Sequence, residues 1–190
     1  MQEKALKQKR QISTKSIMQI AVMVALIAVL SQIWLPMPGG VPMTLQTLAV
    51  MLAGIILGPI KGGLAVLIYV AMGAIGLPVF TGFSGGFSVA LGITGGYIMG
   101  FVVAAPIIGL LSSPQKTKKT LFFIKLLIGL LLGQAVIFSF GTLWIMRLSG
   151  MSLSAALPYS LIPFIVPEII KTALAVVLGI RIEASLKIRR

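Results

Sequence analysis

The stretch SIMQIAVMVALIAVLSQIWL, residues 16–35, decides the fold class. It holds no charged residue and is long enough to cross a hydrocarbon core of roughly 30 Å as a helix, which takes about 20 residues. Lys4, Lys7, Lys9, Arg10 and Lys15 precede it. A basic leader before an apolar run also opens a secretory signal. Here no small-x-small cleavage site leads into a polar mature start, so this run is expected to stay in the chain as span one.

The rest of the chain repeats the pattern. Span two is expected from about Met43 to Leu57, span three from about Gly63 to Leu77, and Gly58-Pro59-Ile60-Lys61-Gly62 turns the chain between them. Span four runs from about Ile93 to Leu111, span five from about Thr120 to Ile145 and span six from about Pro163 to Ile180. Ser152 to Leu161 reads as a short interfacial helix. Spans two and three are short for a bilayer. They are expected to be tilted, extended into their loops or partly re-entrant.

Composition agrees. Of 190 residues, 58% are hydrophobic and 10% charged, against a usual quarter charged, and mean hydropathy is +1.09. A soluble domain of this size cannot hide that much apolar surface. The chain reads as an all-α integral membrane protein with six transmembrane helices and one domain. Residues 1–15 form a basic tail, 16–180 the bundle and 181–190 a second basic tail.

Charge sets the orientation. Lys61 falls between spans two and three. Lys116, Lys118 and Lys119 fall between four and five, with Lys125 just inside five, and Arg181, Lys187, Arg189 and Arg190 follow six. The other three connections hold only Arg147. Lys and Arg therefore alternate sides, as six spans with both termini in the cytoplasm require. The net charge of +13 is topogenic, and no aromatic-interleaved basic patch points to nucleic acid.

Three absences restrict the chemistry. The chain has no Cys, no His and no Asp, and its acids are Glu3, Glu168 and Glu183. Thiolate and imidazole chemistry are excluded, and a carboxylate metal site has too few ligands. The Gly-Lys-Ser/Thr of a P-loop is also missing, because no Gly precedes Lys15, Lys116, Lys119 or Lys171. Neither a catalytic role nor a bound cofactor is expected, and uphill transport would need a partner or an ion gradient.

Two charges do lie inside a span. Glu168 and Lys171, in Pro167-Glu168-Ile169-Ile170-Lys171-Thr172, are three apart and share a helix face. Each ionised group costs about 2.5–3.5 kcal/mol at mid-membrane, which pairing offsets in part. They lock span six as a buried ion pair or they bind a ligand. A carboxylate accepts N–H donors and an ammonium donates to a carbonyl, and a neutral cyclic urea presents both groups. Pro163 and Pro167 place the pair in the outer part of the span.

The outer loops, residues 36–42 and 78–87, are apolar and rich in Gly and Pro. Irregular backbone at membrane level survives only when packed in protein or lining a cavity, so both are expected to fold over the outer end of the bundle. Thr44 would cap span two, whereas the Gln46 amide gains nothing there without a partner. Gly82, Gly85, Gly86, Gly95 and Gly96 around Phe83, Phe87 and Tyr97 read as the lip of a tight pocket. Trp34 and Trp144 fall at outer ends, where aromatic belts sit. Ala21, Ala25 and Ala28 form a small-residue stripe suited to packing within the chain or to docking another membrane chain.

Several of these motifs occur in a specific order. Val41-Pro42-Met43-Thr44-Leu45-Gln46, Leu52-Ala53-Gly54, Leu57-Gly58-Pro59, Gly73-Ala74-Ile75-Gly76-Leu77-Pro78-Val79-Phe80, Gly82-Phe83-Ser84-Gly85-Gly86 and Thr94-Gly95-Gly96-Tyr97 closely resemble the BioY family. These are the biotin-binding S components of energy-coupling factor (ECF) transporters. The match is strong from about Val41 to Phe101 and returns at Pro163 to Lys171. The resemblance implies a six-helix S-component bundle in the bacterial plasma membrane, with a biotin pocket near the outer face. It implies that biotin's ureido ring meets Glu168 and Lys171, with Thr44, Gln46, Phe83, Ser84, Gly85, Gly86 and Tyr97 around the ligand. It implies a transmembrane coupling protein docking at Ala21, Ala25 and Ala28, and two cytoplasmic ATPases. The family more often carries Asp at the position of Glu168, and Ile93 stands where its Gly-Pro-Thr-Gly-Gly-Tyr motif has proline.

Rival readings differ in what they require. A secondary transporter or channel would carry several ionisable groups along a path, and spans two to four hold none. An intramembrane enzyme lacks its acid–base residues here. An S component for another vitamin would share the fold but not the Glu168/Lys171 pair and loop motifs.

Overall fold

The computed structural model describes residues 13–112 and 119–188. Most basic tail residues, and Lys116 and Lys118, lie outside them. Helix α1 (Thr14–Ser31) is capped by Ser13, whose hydroxyl accepts from the Ser16 amide. A two-stranded ribbon follows, β1 (Trp34–Leu35) against β2 (Met43–Thr44), with Trp34 opposite Thr44. The remaining elements are α2 (Gln46–Ala74), α3 (Phe87–Ala90), α4 (Gly95–Leu111), α5 (Lys119–Ser149), α6 (Leu153–Ser160), a 3-10 turn (Ile162–Phe164) and α7 (Ile165–Ile188).

Helix α2 is two spans in a hairpin. At Gly58 the backbone leaves helical geometry (φ 75°, ψ −176°). Positive φ suits glycine, and Pro59 is pre-set to open the next helix. The turn is therefore tighter than the five residues expected of it. The first arm, residues 46–57, is about 18 Å long and the second, 59–74, about 24 Å. Neither reaches across a bilayer of roughly 30 Å. Counting both arms, α1, α4, α5 and α7 bring the spans to six, and α6 is the short helix expected before the last. An even number of crossings returns the C-terminus to the side of the N-terminus, and the positive connections make that side cytoplasmic. Helix α7 runs past Ile180, where the span was expected to end.

Close approach holds the hairpin and its neighbours. A Cβ on Gly62 would lie 2.5 Å from the Ala53 carbonyl oxygen across the hairpin. We expect Gly62→Ala to lower stability by about 1–3 kcal/mol, the cost of overpacking. Thermal unfolding in detergent measures it, and an unchanged transition would mean the arms part freely. On α4, Gly96 would meet Trp144 and the Phe140 carbonyl. The Trp144 indole N–H donates to the Gly92 carbonyl at 2.9 Å. Trp144 thus packs between α4 and α5, and the Gly95-Gly96 pair makes room for it.

The end of α1 clamps the outer loop. Ser31 Oγ donates to the Val79 carbonyl at 2.7 Å, and Gln32 Nε2 to the Phe80 carbonyl at 3.0 Å. Gln32 Oε1 accepts from the Phe83 amide at 2.8 Å. Phe80 is buried against Tyr69, edge to face at 5.6 Å, and fills the space that Gly73 leaves.

Candidate functional site

Prolines set the entry of α7. Pro163 lies in the 3-10 turn and Pro167 in the first helical turn, where a missing N–H breaks no intrahelical bond. Glu168 therefore sits in the first turn, where the helix dipole favours a carboxylate. Lys171 follows one turn on. Both are buried, at 7% and 5% exposure, and paired with each other. The pairing that was expected from spacing is present.

The first arm of α2 completes the network. Lys171 Nζ donates to Thr47 Oγ1 at 2.6 Å and to the Thr44 carbonyl at 2.8 Å, besides the Glu168 contact. All three ammonium hydrogens are used. Thr47 Oγ1 donates on to Glu168 Oε1 at 3.0 Å. Gln134 of α5 donates to Glu168 Oε2 at 2.5 Å. The carboxylate therefore has three donors for about four acceptor positions, which leaves room for one further N–H.

This network floors a cavity of about 320 Å³ under the outer loops, within the range of roughly 300–1,000 Å³ for small-molecule sites. Val41 and Pro42 of the first outer loop, Trp34, and Phe80 and Ser84 of the second wall it, with Phe101, Phe138 and Phe164 on the bundle side. The loops do fold back over the bundle. Gly39 (φ 88°) lies so close to Tyr159 of α6 that a Cβ there would be 2.7 Å from its Cβ. Apolar and aromatic walls above one charged, hydrogen-bonded floor suit a neutral, polar-headed solute with an apolar body.

Of the residues singled out in the sequence, Thr44, Gln46, Ser84, Tyr97, Glu168 and Lys171 all line this cavity. Thr44 does not cap α2 in the usual sense. Leu45 is the capping residue without a side-chain bond, while Thr44 Oγ1 accepts from the Gln46 amide. Gln46 has the partner its burial requires, since its Nε2 donates to the Tyr69 hydroxyl at 2.8 Å. The Tyr97 hydroxyl donates to the Ser160 carbonyl at 2.7 Å, and its ring lines the cavity beside Phe138 and Phe164.

Phe83, Gly85 and Gly86 are outside the lining. Phe83 is 72% exposed at the loop tip, with φ 55°. Gly85 packs on the Leu77 carbonyl, and the Gly86 amide donates to the Gly73 carbonyl at 2.7 Å. These glycines shape the loop that carries Ser84. On α1, Ala21 and Ala25 are exposed on the bundle surface, and Ala28 is half-buried against the core. Thr47 and Gln134 were missed. The argument that flagged Gln46, an amide in an apolar span needing a partner, applies equally to Gln134.

Six spans enclosing a buried ionisable pair beneath a loop-covered cavity define a membrane-embedded solute-binding protein. Comparison with known proteins makes this specific. The model of the BioY family matches residues 3–188, and the chain belongs to that family. A probable biotin transporter BioY of Pyrococcus horikoshii is 42% identical over 171 residues, which are 90% of this chain and 98% of that protein. The biotin transporter BioY of Thermotoga maritima is 35% identical over 169 residues, 89% of this chain and 96% of that one. Among solved structures, the 2.1 Å crystal structure of the S-component for biotin from an ECF-type ABC transporter superposes with a TM-score of 0.79. It is 31% identical, and the match covers 90% of this chain and 91% of that one. The chain is thus a multi-pass membrane protein of a transporter family and not an enzyme.

Proposed function

We infer that the chain is the biotin-capturing S component of an ECF-type uptake transporter in the plasma membrane, and that Glu168 and Lys171 hold the ligand's ureido ring. The buried pair at the floor of the outer cavity carries the assignment. The remaining acceptor position of Glu168 takes a ureido N–H. Lys171 turns one N–H from the Thr44 carbonyl or Thr47 hydroxyl to the ureido oxygen. Aromatic and aliphatic walls receive the bicyclic body, with Trp34 and Ser84 at the mouth. Thr44, Gln46 and Tyr97 complete the pocket. Phe83, Gly85 and Gly86 act through the loop.

The chain acts as one membrane domain, with residues 16–180 as the bundle and basic ends at 1–15 and 181–190. Its partners are a transmembrane coupling protein, which meets the Ala21–Ala25 surface, and two cytoplasmic ATPases. It binds biotin as transported substrate and needs no cofactor. Labelled biotin should bind the purified chain saturably, displaced by unlabelled biotin and not by other vitamins. Displacement by an unrelated vitamin at similar concentration would overturn the choice of ligand.

A further inference from the structure

Glu168 borders two spaces. One is the outer cavity. The other is an apolar groove of about 620 Å³ between α5 and α7, with Leu131 and Ile169 along it and Gln134, Glu168 and Thr172 at its base. Leu131 and Ile169 are 55% and 63% exposed, so in a membrane protein the groove faces lipid. Apart from Gln134 and Thr172, the side chains lining it offer a carboxylate no hydrogen-bond donor.

Gln134 stands at that divide. Its Nε2 donates to Glu168 Oε2 at 2.5 Å, with longer approaches to Thr172 Oγ1 at 3.5 Å and Met51 Sδ at 3.9 Å. Its Oε1 is buried without a hydrogen-bond partner among the described residues. An orphaned buried carbonyl is destabilising, and an apolar side chain of similar volume would avoid it. Its one short bond is to the carboxylate oxygen that Lys171 and Thr47 do not use.

We propose that Gln134 is a positioning residue for the ligand site: it holds the Glu168 carboxylate toward the outer cavity and away from the lipid-facing groove, without touching ligand itself. This rests on the reading that Glu168 meets biotin. Gln134 is not among the residues lining the cavity, so its effect on binding passes through Glu168.

The test separates positioning from packing. Gln134→Met keeps volume and removes both the donor and the orphaned carbonyl. Biotin affinity should fall roughly tenfold, the lower end for a hydrogen bond to a charged group, while the apparent melting temperature of the protein without biotin stays about level, because relief of the orphaned carbonyl offsets the donor lost from Glu168 Oε2. Unchanged affinity overturns the proposal. So does a parallel fall in affinity and melting temperature, which is the mark of a packing role. Gln134→Asn, whose amide is drawn back by one methylene, is a second probe. It should also weaken binding, and wild-type affinity there counts against positioning. In a Glu168→Gln background, Gln134→Met should cost little more, since coupled residues are non-additive. If Glu168→Gln alone binds like wild type, the Glu168 reading falls and this proposal with it. If Glu168→Gln weakens binding and Gln134→Met does not, positioning alone is wrong.

Discussion

Glu168→Gln should weaken biotin binding by about 1.5–3 kcal/mol, the worth of a hydrogen bond to a charged group, or roughly 10- to 150-fold at tenfold per 1.4 kcal/mol. The substitution keeps the shape and one carbonyl acceptor. It removes the charge that Lys171, Thr47 and Gln134 converge on. Part of the loss is a ligand N–H that now meets an amide, and part is the uncompensated Lys171 ammonium left buried. The two parts differ in what they move. An unpaired Lys171 lowers the stability of the protein without ligand, whereas the lost contact lowers affinity alone. Calorimetric titration with biotin, beside thermal unfolding without it, reads both. Wild-type affinity in a folded Glu168→Gln protein would remove Glu168 from the ligand site.

Ala21→Trp should leave biotin binding nearly intact and stop ATP-dependent uptake by the assembled complex. Ala21 and Ala25 are exposed on α1 and do not line the cavity, whereas Ala28 is half-buried against the core. A large side chain at Ala21 therefore projects outward without disturbing the pocket, and the same change at Ala28 would strain the bundle. In lipid, helix association depends on close van der Waals approach, so an indole on this face holds a partner helix away. Uptake into sealed vesicles, with labelled biotin and the coupling module present, checks the result. Normal transport by the variant would place docking elsewhere, and biotin accumulation by this chain alone would end the case for an energised partner.

Hydropathy and charge made the bundle legible because the bilayer imposes a fixed length on each apolar run and the alternation of Lys and Arg fixes its direction. The hairpin of α2 was readable from Gly58-Pro59. Its tightness was not, because that depends on the contact of Gly62 with Ala53 across the turn. Glu168 and Lys171 stood out by chemistry, as ionised groups in a span must find partners. Thr47 and Gln134 did not, since a hydroxyl or amide in a span shows its role only when the facing helix is known. Phe83, Gly85 and Gly86 were placed beside the ligand because a Gly-rich aromatic loop reads the same whether it touches the solute or shapes the loop that does.

By itself the sequence determined the six crossings, the cytoplasmic side and the one ionisable pair, because each follows from the cost of moving a residue between water and hydrocarbon. Only the tertiary structure decided what surrounds that pair. The three donors on Glu168 come from α7, α5 and the first arm of α2, and two of the partners of Lys171, Thr44 and Thr47, lie more than a hundred positions earlier. A hydrogen bond requires atoms within about 3 Å at suitable angles, and local pattern carries no information on which distant turns of the chain meet that condition.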